Sequence, residues 1–151
     1  MTDVSDGALA WGALLHVHAA LVPALDRELQ RAADLPLAWY DLLLELNAAP
    51  QRRLRMSELG QRVVLSRTRV SRLVDELAGA GLVRREAHPT DRRSAFAVLT
   101  EDGRRRFRAA APVYLRGIEK HFTAHLDAGE VRTLAAALWR VYEAEQEPHS
   151  G

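Results

Sequence analysis

Cysteine is absent from the 151 residues. That one absence excludes disulfides, thiolate metal sites, iron–sulfur clusters and thiol-based redox sensing together. Aromatic residues are scarce at 6%, while apolar residues reach 48%, so a core has to be built mainly from Ala, Leu and Val. Ala and Leu favour helix, and the apolar content is too high for global disorder. Lysine is nearly missing: of 21 basic residues only Lys120 is lysine. A GC-rich genome accounts for that bias, and so does the aptitude of arginine for phosphate and base-edge contacts. No P-loop, G-x-S-x-G or G-x-G-x-x-G segment occurs, so the chain is not expected to be an enzyme. No apolar run is expected to approach the ~18 residues of a membrane span. Met1 to Gly7 carries acids where a signal peptide has a basic start. A cytoplasmic chain without membrane contact is the expectation.

What is present is unevenly charged. The overall charge is +1, yet residues 52–108 hold 15 arginines against 7 acids, a net of +8. The remainder holds 6 bases against 13 acids, a net of −7. A basic middle between acidic ends is the footprint of a nucleic-acid-binding core on a different scaffold.

Hydrophobic periodicity predicts a first helix over Leu9–Arg31, with Leu14, Leu15, Val17, Leu21, Leu25 and Leu29 near one stripe. Pro23 inside it predicts a kink or a break. A turn at Asp34-Leu35-Pro36 precedes a second helix, Leu37–Asn47, which is stopped by the segment ending at Pro50. Residues 52–55 suit an edge strand. Met56–Val63 reads as a short third helix with Ser57 as its N-cap, and Ser66 as the cap of a fourth that runs to Ala80 and ends at Gly79 and Gly81. Leu82–Arg85 and Phe96–Leu99 pair as a hairpin around His88-Pro89-Thr90-Asp91. Thr100 caps a long fifth helix, which Pro112 bends. Asp127 and Glu130 form the capping box of a sixth that ends near Glu145, before a frayed tail at Pro148–Gly151.

The expected class is mainly α, with a winged helix-turn-helix and a small β-hairpin wing. On the fourth helix Val70, Leu73, Val74 and Leu77 share one side. Thr68 and Arg72 point the other way, flanked by Arg69, Ser71 and Asp75. Hydroxyls and guanidinia so placed suit base edges and phosphates, and the Ser66 end suits a phosphate. Candidate DNA contacts are therefore Ser66, Arg67, Thr68, Arg69, Ser71 and Arg72, with Asp91, Arg92 and Arg93 at the wing. Arg93 is placed to enter a minor groove and Arg92 to meet a phosphate. Asp91 either holds the Arg93 guanidinium or is simply a turn residue after Pro89.

Three segments of this chain carry a resemblance. They are Leu77 with Gly81-Leu82-Val83-Arg84-Arg85, then Asp91-Arg92-Arg93-Ser94, then Leu99-Thr100-Glu101-Asp102-Gly103. Met56–Leu59 and Ser66–Val74 fit as well. Together they resemble the signature of the multiple antibiotic resistance regulator (MarR) family over Leu37–Gly103. Gly60 stands where that family more often has Ala, which points to close helix packing.

The resemblance implies a dimeric regulator of transcription on a pseudo-palindromic double-stranded operator, a repressor released by a small-molecule effector. It implies N- and C-terminal dimerisation helices (1–34 and 104–147) around a DNA-binding region (35–103), in one compact unit. It also implies that Asp91 orients Arg93. An effector pocket is expected where the dimer helices meet the winged region, with Trp11, His16, His18, Trp39 and Tyr40 as candidates for a small phenolic or anionic ligand.

His121 and His125 stand at i, i+4 in the expected fifth helix, near Glu119, a spacing that suits a metal. Surface or dimer-interface histidines are the plainer reading, and no metal or other cofactor is expected. The competing function is a winged-helix subunit for protein–protein contact without operator binding, against which the basic wing argues.

Overall fold

The computed structural model describes residues 4–147, so the tail expected at Pro148–Gly151 lies outside the described residues. Nine regular elements follow in order: α1 Asp6–Ala33, α2 Leu37–Ala48, β1 Arg53–Arg55, α3 Met56–Arg62, α4 Val70–Gly79, β2 Val83–Ala87, β3 Ala95–Leu99, α5 Glu101–His121 and α6 Ala128–Gln146. Short 3-10 turns add Pro50–Arg52, Arg67–Arg69 and Thr123–His125. The chain divides into two units, residues 1–115 and 116–151. The division falls inside α5.

In the first unit the core is a leucine–valine cluster. Leu29, Leu35, Leu42, Leu43, Leu46, Leu59, Leu77, Val63, Val74 and Val83 are fully buried. The stripe expected along α1 buries only at its C-terminal end, at Leu25 and Leu29. Leu9, Trp11, Leu14, Leu15 and Val17 stay exposed. Residues 8–25 hold no charged side chain. By length and composition α1 could cross a membrane, so the expectation that no run approaches that length fails. Two histidines, a glycine and a proline interrupt the run of strongly apolar residues and disguised it.

Neither proline breaks its helix. Pro23 lies inside α1 and Pro112 inside α5. The carbonyls deprived of a partner belong to Ala19 and Arg108, and both residues are exposed, so water can satisfy them.

The sheet is antiparallel in the order β1-β3-β2. Phe96 pairs with both Arg55 and Glu86, which makes β1 the edge strand expected and joins the start of α3 to the wing.

Two turns hold this arrangement. Gly81 adopts φ +77° after α4, and Leu82 N–H donates to the Leu77 carbonyl at 3.0 Å while Gly81 N–H donates to Ala78 at 3.0 Å, a Schellman stop. The Thr100 hydroxyl donates to the Gly81 carbonyl at 2.7 Å and accepts from Gly103 N–H at 3.0 Å, so Thr100 caps α5 and clips it to the end of α4. Gly60 is different: a side chain there would meet nothing within 4 Å, so the close packing expected of it is absent.

The second unit contains the end of α5 and α6. Asp127 and Glu130 make the expected capping box at 2.9 Å in each direction. No residue of α6 is buried within the chain.

Candidate nucleic-acid interface

Three supports build the surface that α3, α4 and the wing share. The first lies under the turn between α3 and α4. Asp41 of α2 is buried, and its Oδ2 accepts the Leu65 N–H at 3.0 Å. Burial pushes this carboxyl above its ordinary range, against the pull of hydrogen bonds from the Leu65 and Val64 backbone. Ser66 is also buried, and its hydroxyl donates to the Ala38 carbonyl at 3.4 Å.

Ser66 therefore neither caps α4 nor presents a hydroxyl to solvent, contrary to expectation. The turn consumes it, and a 3-10 turn over Arg67–Arg69 leads into α4 at Val70. Ser57 fails as an N-cap for a different reason: α3 begins one residue earlier, and the Arg55 N–H is met by Glu58 Oε1 at 3.4 Å.

The second support ties β2 to α4. Arg85 Nη2 donates to the Ser71 carbonyl and hydroxyl at 3.3 Å each and pairs with Asp75 at 2.8 Å. The third orders the wing. His88 Nδ1 accepts the N–H groups of Thr90 at 3.2 Å and Asp91 at 3.1 Å. The His88 ring stacks on Phe96 at 5.4 Å, and Arg53 covers that phenyl ring at 4.6 Å. Arg55 Nη2 lies 3.2 Å from His88 Nε2.

Asp91 Oδ1 accepts the backbone N–H of Arg93 at 2.9 Å. The bond expected to hold the Arg93 guanidinium goes to the Arg93 main chain instead, because a two-residue separation in a tight turn brings the N–H within reach first.

On these supports α4 divides as its sequence predicts. Val70, Leu73, Val74 and Leu77 are buried, while Arg67, Thr68, Arg69, Ser71 and Arg72 are exposed. Arg92 and Arg93 are exposed at the wing. A groove of about 490 Å³ between α3, α4 and the wing is lined by Ser57, Arg67, Thr68, Ser71, Arg85 and Arg93 among others. It brings the helix and wing arginines to one surface.

Arg72 is not loose on this surface. Its Nε donates to Glu76 Oε1 at 3.2 Å, and Glu76 Oε2 accepts the indole N–H of Trp39 at 3.1 Å. Asp41, Glu76, Arg85 and His88 were missed by sequence reasoning. Only Glu76 left a signal, its i, i+4 spacing from Arg72.

The five ligand candidates have different surroundings within this chain. Tyr40 is buried against Phe107 at 5.2 Å and Tyr114 at 4.7 Å, and burial pushes its phenol up to about 12. It is a core residue. Trp11, His16 and His18 are exposed on α1, with His16 Nδ1 2.7 Å from the Gly12 carbonyl. Trp39 lines a cleft of about 470 Å³, with Asp26 and Gln30 of α1, Arg69 ahead of α4, and Leu73 and Glu76 within it.

His121 and His125 do not share a helix. α5 ends at His121, the chain turns at Phe122, and His125 closes a 3-10 turn. Among the described residues no group of three or more His, Asp or Glu side chains is placed to hold a metal.

The sequence pattern of the MarR family matches residues 33–94. The chain is similar to Sco3205, a MarR family transcriptional regulator from Streptomyces coelicolor solved in complex with DNA. Identity is 33% over 100% of this chain and 96% of that one, and the TM-score is 0.86. It is also similar to AbsC, a MarR family transcriptional regulator from the same organism, at 32% identity over 97% of this chain and 99% of that one, with a TM-score of 0.83. The organohalide-sensing regulator RdhR-CbdbA1625, solved with 2,4-dichlorophenol bound, shares the fold at 20% identity over 96% of this chain and 86% of that one, with a TM-score of 0.80. Among curated proteins no match is found.

Proposed function

The chain belongs to the MarR family of transcriptional regulators, and from that premise we propose that it acts in the cytoplasm as a homodimer on a pseudo-palindromic operator, as a repressor released by a small phenolic or anionic effector. One observation carries the DNA-binding part: Arg67 and Thr68 in the 3-10 turn leading into α4, Arg72 on α4, and Arg92 and Arg93 on the wing are all exposed, on elements braced by Asp41 and Arg85. Side chains that read DNA need rigid support and free donors. In this reading α4 enters a major groove, Arg93 reaches the neighbouring minor groove, and Arg92 meets a phosphate.

The dimerisation regions are residues 1–34 and 104–147. The exposed apolar side chains of α1 and α6 support them: Leu9, Trp11 and Leu15 on the first, Trp139, Val141 and Tyr142 on the second. The effector reading rests on the cleft at Trp39, where an aromatic wall, Asp26 and Arg69 meet beside α4. The fold relative that holds 2,4-dichlorophenol suggests the ligand class.

The test is selection of duplexes from a randomised pool by the purified chain, followed by equilibrium binding. The expected product is an inverted repeat with half-sites about one helical turn (~10 bp) apart. A chain that selects no sequence above background is a protein-contact module, and the DNA reading fails.

A further inference from the structure

We propose that Glu76 is a positioning residue for base discrimination and that Trp39 is its anchor: the chain Trp39–Glu76–Arg72 fixes how Arg72 meets a base edge. This rests on the reading above that α4 enters the major groove.

The Arg72 side chain is 73% exposed. A long cation in water samples many rotamers, and an isolated i, i+4 ion pair on a helix surface restrains it only weakly. Glu76 is not such an isolated partner. Its second carboxylate oxygen is taken by the Trp39 indole N–H at 3.1 Å. Trp39 is half-buried and belongs to α2, so the carboxylate is referenced to an element outside the recognition helix.

The geometry also selects which donors remain. Glu76 Oε1 takes the Arg72 Nε–H at 3.2 Å. The two terminal nitrogens are left as a parallel pair, the fork that fits O6 and N7 of guanine. Without the clamp, a side-on approach through Nε competes, and so do adjacent phosphates. Glu76 therefore narrows Arg72 to one approach.

A signature follows from its charge. A carboxylate beside the DNA face weakens attraction to phosphates in general. Removing it should raise affinity for unselected DNA while lowering discrimination. A residue that merely supported the fold would lower both.

The experiment uses the full chain and the duplex it selects from a randomised pool, together with every single-base-pair variant of that duplex and one unselected duplex. Arg72→Ala, Glu76→Gln, Trp39→Phe and the double variant Arg72→Ala/Glu76→Gln are compared with the wild type. Trp39→Phe keeps the aromatic wall and every charge while deleting the N–H. Arg72→Ala is expected to lose roughly 5- to 150-fold discrimination at one base pair of each half-site. Glu76→Gln and Trp39→Phe should each lose roughly three- to tenfold at that same base pair, the size of one hydrogen bond. Glu76→Gln should in addition bind the unselected duplex more tightly. In the Arg72→Ala background Glu76→Gln should change discrimination no further. If Arg72→Ala discriminates as wild type does, the DNA reading of Arg72 falls and the clamp with it. If Arg72→Ala loses discrimination while Glu76→Gln and Trp39→Phe keep it, or lose it equally at all positions, the clamp alone is overturned.

Discussion

A side chain at position 103 would have nowhere to go. A Cβ built on Gly103 falls onto the Leu82 carbonyl oxygen and lies 2.7 Å from Leu99 Cδ1. The same carbonyl accepts the Thr100 N–H at 3.1 Å, so backbone rather than a flexible side chain blocks the site. Gly103→Ala should destabilise the fold by about 1–3 kcal/mol, as overpacking does, and chemical denaturation would measure it.

Asp41 supplies a second residue-scale prediction, with a sign. Burial raises its carboxyl in the folded chain, so the folded state holds this proton more tightly than the unfolded chain does. Its contribution favours folding below the ordinary value of 3.8 and is lost as pH rises through the elevated folded value. Glu45 is raised by burial first and by Asp41 second, with Arg62 opposing, and loses stability in the same direction. Asp41→Asn should therefore gain on the wild type as pH rises from the ordinary value of 3.8 through the elevated folded value, read from urea midpoints. A gap between the two that stays flat across that range would defeat the argument. Asp41→Ala should instead cost about 1–3 kcal/mol at any pH, because the Leu65 N–H is left without its partner.

Neither residue's role was equally open to the sequence. Gly103 sat in a recognisable motif. Asp41 sat among leucines in an amphipathic helix, and its partner N–H lies 24 positions away, a distance no local pattern reports.

At the scale of elements, periodicity placed the six α-helices and the wing, although α6 buries none of its residues within the chain and α1 buries only Leu25 and Leu29. It failed at caps, where a serine's hydroxyl found a partner elsewhere in the chain or the helix began a residue earlier. Ser57 and Ser66 both had the sequence of an N-cap, yet Ser66 turned inward to the Ala38 carbonyl. Pro23 does not produce the break that was one of its two expected outcomes, since the carbonyl it deprives lies on an exposed residue. The exposed arginines proposed to face DNA were legible as exposed because they are what remains once the apolar stripe of α4 is assigned. The clamp on Arg72 was not, because Trp39 comes from another helix.

The wing carries a prediction of its own. Arg93→Ala should weaken binding to every duplex with A·T-rich flanks and reduce the salt slope by about one. Asp91 grips the Arg93 main chain, not its guanidinium. Asp91→Asn keeps that acceptor and removes a negative charge, so it should bind DNA at least as well as wild type. Asp91→Ala frees the turn and should fall part of the way toward Arg93→Ala. A loss with Asp91→Asn as large as with Arg93→Ala would restore the guanidinium clamp expected from the sequence. Equilibrium binding at two salt concentrations separates these outcomes.

The whole molecule leaves apolar surface that one copy does not cover. Leu9, Trp11, Leu14 and Leu15 are exposed on α1, and Trp139, Val141 and Tyr142 on α6, where Trp139 and Tyr142 meet edge to face at 5.5 Å. Single exposed apolar residues are ordinary, but contiguous ones on the same helix mark an interaction surface. α1 alone could also suit a bilayer by length and composition. α6 argues for a protein partner, since its apolar residues are interleaved with Arg132, Arg140, Glu143 and Glu145. A second copy is the partner that a two-fold operator requires. Trp139→Glu places a charge in that surface without touching α4 or the wing. It should shift the chain from dimer to monomer in sedimentation equilibrium. It should also lower affinity for the full inverted repeat by a factor of roughly 100 or more, because the second half-site is no longer delivered by the first. Affinity for a single half-site should stay as it was. If the variant remains dimeric and binds the full repeat as wild type does, α6 is not in the interface; if the wild-type chain partitions into vesicles instead of pairing, the exposed face of α1 belongs to a membrane.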